Sequence, residues 1–280
     1  MRSETAVRLL VAAIGIPVAL LVIYLGGWWL TLLVAVVAGL AAREFYQLAR
    51  AVGVRPLHLP GIAMAVGAVL VAGLGFSAGG IGVWLIMTTL VMAAGVIGAR
   101  KPDEGPLLAA AATVFGAAYT GGLLAYAVLL RHLPGIESSL HGASLLLLPV
   151  LLTWVNDSAA YFGGRRFGRN KLIPSVSPGK TVEGSIAGIT ATVLVALPYA
   201  FWLEQFPTYR VSLPVALGLG LLVAVAAQVG DLVESLLKRD AGVKDSGTLL
   251  PGHGGALDRF DALLFTIPLA YFFFFYLVGP

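Results

Sequence analysis

Nine long apolar runs, each closed off by charge, proline or glycine, dominate this chain and leave little choice of solvent. They lie near residues 6–25, 27–42, 60–76, 80–98, 106–129, 143–163, 183–203, 211–229 and 262–279. A helix needs about 20 apolar residues to cross a hydrocarbon core about 30 Å thick, and most of these runs supply them. The second and third are short, which leaves eight spans and one re-entrant piece as the alternative count. Hydrophobic residues fill 59% of the 280 positions and charged residues 11%, too few charges to clothe a water-facing surface of this size. The expected fold class is therefore all-α: a polytopic integral membrane protein of about nine transmembrane helices. The first run, behind Arg2 and Arg8, has the look of a secretory signal. No small-residue cleavage site follows it, and Trp28 and Trp29 continue the apolar stretch, so it is read as a span.

Orientation follows from the basic residues, which cytoplasmic loops retain. Nine spans place 16 of the 18 lysines and arginines on one side of the membrane, leaving only Arg131 and Arg210 on the other. Dropping a span would scramble that alternation. The expectation is a multi-pass protein of the cell (inner) membrane, with a cytoplasmic N-terminus and the C-terminal Gly279-Pro280 outside. Topology and anionic lipid account for the net charge of +4 without a nucleic-acid partner.

Cysteine is absent, which excludes a disulfide framework, a thiolate nucleophile and Cys-based metal sites. The four histidines are scattered without metal-helix spacing, so any bound cation should be a hard one held by oxygen. Acids are also scarce, at 14, yet eight of them gather around two loops of the second half. The chain thus divides by character into an N-terminal scaffold of about five spans (1–142) and a catalytic region of about four spans with two motif loops (143–280).

The first of these regions begins inside an apolar run. Asn156 and Asp157 stand where a carboxylate costs at least about 2.5 kcal/mol unless it faces protein or water. Such a residue is a functional candidate; the plainer reading is a polar pair gluing two helices. The following loop sets Arg165, Arg166, Arg169, Lys171 and Lys180 among glycines and the hydroxyls of Ser177 and Thr181, ahead of Glu183 and Gly184. Cations, close backbone approach and hydroxyl donors suit a phosphate group. Positive-inside topology explains the charge alone, and the segment lacks Walker spacing.

The second region is denser. If the helix of the eighth run continues past Asp231, then Glu234, Ser235 and Lys238 fall at i+3, i+4 and i+7 and share its face. Asp258 and Asp261 are three apart and are expected to face one way at the mouth of the last run. Two such acid pairs suit Mg²⁺, which takes one or two carboxylates and completes its shell with water and phosphate. A surface network neutralising Lys238, Arg239, Lys244 and Arg259 is the ordinary alternative for any single residue. His253, between glycines, suits phosphate binding or loop structure better than general-base work.

The stretch from Ser235 to Asp261 resembles the signature of the phosphatidate cytidylyltransferases, or CDP-diacylglycerol synthases. The matching positions are Ser235, Leu237-Lys238-Arg239, Lys244-Asp245-Ser246-Gly247, Pro251-Gly252-His253-Gly254-Gly255 and Asp258-Arg259 with Asp261. Asn156-Asp157, Gly164-Arg165, Phe167-Gly168, Ser177-Pro178, Lys180-Thr181 and Glu183-Gly184 are similar to the family's other stretch. Ala256 stands where a larger apolar residue is usual and Ala262 where serine is common; both changes concern packing. The resemblance implies a membrane enzyme that condenses CTP with phosphatidic acid to give CDP-diacylglycerol and pyrophosphate. It also implies Mg²⁺, with a second cation left open, and a homodimer. Asp231 and Asp258 become metal ligands, with Ser235, Lys238 and Asp261 beside them and Arg259 neutralising developing charge. Asn156, Asp157, Arg165, Lys171, Ser177, Lys180, Thr181, Glu183, Lys244, Asp245 and His253 become candidates for holding the nucleotide or lipid phosphate.

Two other functions fit parts of the pattern. A secondary transporter of a phosphorylated anion would also carry many spans and basic loops, but its ionisable groups belong near the bilayer midplane. A CTP-using transferase for an ether or isoprenoid lipid would share the headgroup chemistry.

Overall fold

The computed structural model describes residues 2–247 and 254–280, with side chains from residue 13 onward. Every apolar run forms a helix. They are α1 (Arg2–Leu25), α2 (Gly27–Ala51), α3 (His58–Gly73), α4 (Ala78–Ala99), and α5 (Pro106–Ala117), which passes through a π-helical turn (Ala118–Gly122) into α6 (Leu123–Arg131). Then come α7 (Ser139–Phe167), α8 (Val182–Leu203), α9 (Leu213–Asp240), the single turn α10 (Leu257–Phe260) and α11 (Leu263–Phe273). A short antiparallel hairpin, β1 (Lys171–Ile173) and β2 (Ser177–Thr181), joins α7 to α8, with Lys171 opposite Thr181 and Ile173 opposite Ser177.

Among the described residues, seven helices are long and apolar enough to cross a membrane, and Ala13–Leu25 and His58–Gly73 are shorter apolar helices. The protein is a helical, polytopic membrane protein. The second run, short by hydropathy, belongs to a 25-residue helix, because α2 continues through Arg43 and Glu44 to Ala51. The third is short in fact: at 16 residues α3 spans roughly 24 Å, less than a hydrocarbon core of about 30 Å. By contrast α7 has 29 residues and α9 has 28, well beyond the roughly 20 a crossing requires. Asn156 to Arg166 and Asp231 to Lys238 lie in the C-terminal parts of these two helices. Outward-facing Val91 and Ile97 on α4 and Leu107 on α5 are exposed apolar side chains of the kind lipid covers.

The chain forms two compact units that interleave along the sequence: Met1–Leu129 with Leu237–Phe260, and Leu130–Leu236 with Asp261–Pro280. In the first, the Tyr46 hydroxyl donates to the Thr113 carbonyl at 2.7 Å and the Trp84 indole N–H to the Met64 carbonyl at 2.9 Å. In the second, α7 and α8 approach closely through small residues. A Cβ at Gly188 would sit 2.8 Å from Asn156 Oδ1 and 2.9 Å from its carbonyl oxygen, and one at Gly184 would sit 2.6 Å from the Ala160 carbonyl. Such contacts let backbones pack where lipid offers no hydrophobic drive between helices. Tyr199 and Trp202 of α8 donate to Ser144 on α7, to its carbonyl at 2.8 Å and its hydroxyl at 3.0 Å.

Candidate active site

The unit built on Leu130–Leu236 and Asp261–Pro280 contains a cavity of about 610 Å³ where the C-terminal part of α7, the hairpin, the start of α8 and the second half of α9 meet. From α7 come Asn156, Asp157, Tyr161 and Arg165; from the hairpin, Lys171, Ser177, Lys180 and Thr181; from α8, Ser185; from α9, Gln228 and Asp231. Seven of the phosphate candidates named by sequence thus share one wall system. Thr181 also caps α8, its hydroxyl accepting the Gly184 N–H at 3.1 Å, which sets the turn between hairpin and helix.

Asn156 is 1% exposed, lines the cavity and bonds across to α9. Its Oδ1 accepts the Gln228 amide at 3.2 Å, while Gln228 donates also to the Ser185 carbonyl at 3.1 Å and accepts the Ser185 hydroxyl. Asn156 in turn donates to Asp157 at 3.4 Å. Gln228 escaped sequence reasoning because a neutral amide in an apolar run carries no charge to notice. Its position three residues before Asp231, on the same helix face, was the available signal.

On α9 the expected stripe exists, since the helix does run on to Asp240. Ser235 donates to Asp231 Oδ1 at 3.3 Å, and the Lys180 ammonium lies 2.5 Å from Asp231 Oδ2. Carboxylate oxygens of Asp231, Glu234 and Asp261 lie within 4.8 Å of one another. Glu234 is fully buried, so its carboxylate sits where water screens charge poorly, with Asp231 and Asp261 half-buried beside it. Three hard oxygen donors gathered this way fit a divalent cation of the Mg²⁺ type.

Asp258 belongs to the other unit and has its own partners. Lys238 reaches Asp258 Oδ1 at 2.8 Å, while Oδ2 accepts the Ser246 N–H at 2.9 Å, its hydroxyl at 2.9 Å and the Gly255 N–H at 2.8 Å. The helix breaks between Phe260 and Leu263, so Asp258 and Asp261 do not share one continuous helical face. Asp261 Oδ1 accepts the Ala262 N–H at 2.7 Å. Arg259, Lys244 and Asp245 are exposed. His253 lies outside the described residues.

Glu183 lies off the cavity wall. Its carboxylate accepts the Arg169 N–H at 3.0 Å, the Asn170 N–H at 3.2 Å and the Asn170 side-chain amide at 2.8 Å, tying the start of α8 to the loop that follows α7.

Comparison with known proteins shows the family. The model of the cytidylyltransferase family matches residues 6–277. The chain belongs to the cytidylyltransferase family. A protein named phosphatidate cytidylyltransferase from Synechocystis sp. is 34% identical over 287 residues, covering 95% of this chain and 95% of that protein. One of the same name from Staphylococcus aureus strain COL is 31% identical, covering 94% and 96%, and one from Staphylococcus saprophyticus is 33% identical, covering 94% and 96%. A cytidylyltransferase handles an anionic phosphate group, and Arg165, Lys171 and Lys180 put three cations on the cavity of this family member.

Proposed function

We propose that this protein is a CTP:phosphatidate cytidylyltransferase that transfers the cytidylyl group of CTP to phosphatidic acid, giving CDP-diacylglycerol and pyrophosphate. The observation that carries the reading is one cavity in which Arg165, Lys171 and Lys180 stand beside Asp231, itself grouped with Glu234 and Asp261. The names of the relatives supply the lipid substrate.

In the reaction an oxygen of the phosphatidate phosphate attacks the α-phosphorus of CTP. The bond from that phosphorus to the oxygen bridging to the β-phosphate breaks, and its electron pair leaves with pyrophosphate. The attacking oxygen is already anionic, so no strong base is required and His253 need not serve as one. The main obstacle is repulsion between two polyanions. When bound, Mg²⁺ supplies positive charge that offsets it. Asp231, Glu234 and Asp261 would hold that ion. The resemblance assigns Asp258 to the metal as well, and a second cation remains part of the same proposal. Lys180 exchanges its partner Asp231 for substrate phosphate. Arg165 and Lys171, with the hydroxyls of Ser177 and Thr181, orient the phosphates, while Lys238 and Arg259 offset charge developing on the α-phosphate and pyrophosphate. Lys244, Asp245 and His253 are assigned to substrate binding on the resemblance alone.

The distribution of basic residues supports a cytoplasmic N-terminus and a catalytic face at the cytoplasmic surface of the inner membrane, where CTP arrives from water while acyl chains stay in lipid. Assembly as a homodimer rests on the resemblance. Purified protein in detergent, given labelled CTP, Mg²⁺ and phosphatidate, is expected to produce lipid-soluble cytidine label with equimolar pyrophosphate, and EDTA is expected to stop it. No label in lipid under these conditions overturns the reading. CTP uptake into proteoliposomes without conversion indicates a transporter instead.

A further inference from the structure

We infer that Glu44, in the half of the chain that reads as scaffold, is a positioning residue that fixes the segment bearing Asp258. Glu44 is 5% exposed near the end of α2. Its Oε1 accepts the Ala256 N–H at 2.9 Å, and its Oε2 accepts the Leu257 N–H at 2.7 Å and the Ser246 hydroxyl at 3.1 Å. These partners lie more than 200 residues away in sequence. Ser246 is the link to Asp258, because the same hydroxyl oxygen sits 2.9 Å from Asp258 Oδ2. One hydroxyl proton serves one carboxylate at a time, so the two acids share a single donor.

The chain on both sides of residues 248–253 is therefore fastened to one buried carboxylate. Backbone crowds against it closely: a Cβ at Gly247 would sit 2.6 Å from Glu44 Oε1, and one at Gly255 would overlap Glu44 Oε2 and Ser246 Oγ. A surface charge needs none of this. A buried carboxylate held by two backbone N–H groups and a hydroxyl selects one conformation of the segment, since losing an acceptor leaves a buried donor unpaired. Asp258 accepts from Ser246 and Gly255 of the same segment, so its carboxylate direction follows where Glu44 puts that backbone. Lys238, ion-paired to Asp258, follows in turn. Glu44 need touch no reactant to set the rate. The catalytic half of this inference rests on the proposed cytidylyl transfer and on Asp258 being needed for it.

The test is Glu44→Gln in the full-length protein, with hydrogen exchange and kinetics measured on one preparation. Glutamine keeps the volume but turns an N–H₂ toward the Leu257 N–H. Amide protection across 255–258 is expected to fall about tenfold, the equivalent of one lost hydrogen bond. With phosphatidate saturating, kcat is expected to fall by a comparable factor and half-saturating Mg²⁺ to rise, while KM for CTP stays near wild type. Ser246→Ala, which leaves the Ala256 and Leu257 bonds intact, should move the same readouts less, and the double variant should be no worse than Glu44→Gln alone. If Glu44→Gln does not accumulate in the membrane, Ser246→Ala must still shift exchange and the Mg²⁺ response. Unchanged exchange in the variants overturns the tether. Loosened exchange with wild-type kcat and Mg²⁺ response overturns the positioning role. A wild-type protein that makes no CDP-lipid, or a fully active Asp258→Asn, removes the proposed reaction or the Asp258 assignment and leaves the exchange result to decide the tether.

Discussion

The Lys180 ammonium and Asp231 Oδ2 lie 2.5 Å apart, so the hairpin between α7 and α8 is joined to the second half of α9 by one ion pair. Asp231 is also part of the acid trio, and the lysine therefore occupies a carboxylate that a divalent cation would want. Ammonium and a bound divalent cation would compete for the same oxygen. Lys180→Ala is expected to lower half-saturating Mg²⁺ while kcat falls by about 10²–10³, the usual loss when one preorganised charge donor is removed. Lys180→Arg should recover part of kcat, its planar fork matching phosphate but not the original point contact. Steady-state rates across an Mg²⁺ titration check both, and an unchanged Mg²⁺ midpoint counts against the competition.

Asp231→Asn and Asp258→Asn should each abolish turnover while the protein still inserts and purifies. The physical reasons differ. The first substitution would weaken the trio and release Lys180, whereas the second would loosen the Lys238 pair and the Ser246 and Gly255 bonds. Full activity in either variant, measured as label entering lipid, removes that residue from the mechanism.

Gly188→Ala should destabilise the α7 and α8 contact, because its Cβ meets Asn156 Oδ1 and the Asn156 carbonyl. Overpacking of this kind costs about 1–3 kcal/mol. Thermal unfolding in detergent should shift downward accordingly, and the Asn156 to Gln228 bond should weaken with it. Gly218→Ala is the control, since a Cβ there meets nothing within 4 Å.

Glu183→Ala removes the acceptor for Arg169 and Asn170 and leaves the cavity lining intact. The expected outcome is a several-fold rise in KM for CTP with kcat little changed, together with faster amide exchange at Arg169 and Asn170. Glu183→Gln should fall between, since it retains one acceptor oxygen. Equal losses in kcat and kcat/KM would place Glu183 in the transition state instead.

The helical framework was legible because hydropathy and helix length report the same physics in lipid: each apolar run became a helix. The α9 stripe was legible for a similar reason, since spacing of three and four fixes which side chains share a face. Other features lay beyond such rules. Hydropathy ended the second run at Arg43, but backbone hydrogen bonding does not stop at a charge, so α2 carries Glu44 onward into a buried position. Nothing local in Arg43-Glu44 announces partners at 246, 256 and 257. The hairpin strands, three and five residues long, are too short for an alternating pattern to emerge. Asp258 and Asp261 match in spacing, yet the break after Phe260 gives them different partners.

The length of α7 and α9 leaves each helix room to tilt in a hydrocarbon core about 30 Å thick. A helix of 28 or 29 residues tilts or stands upright as hydrophobic mismatch dictates, and its far end rises or sinks relative to the headgroups. Asn156 and Asp231 stand past the midpoints of these helices, so a change in the tilt of either one would shift one wall of the cavity against the other.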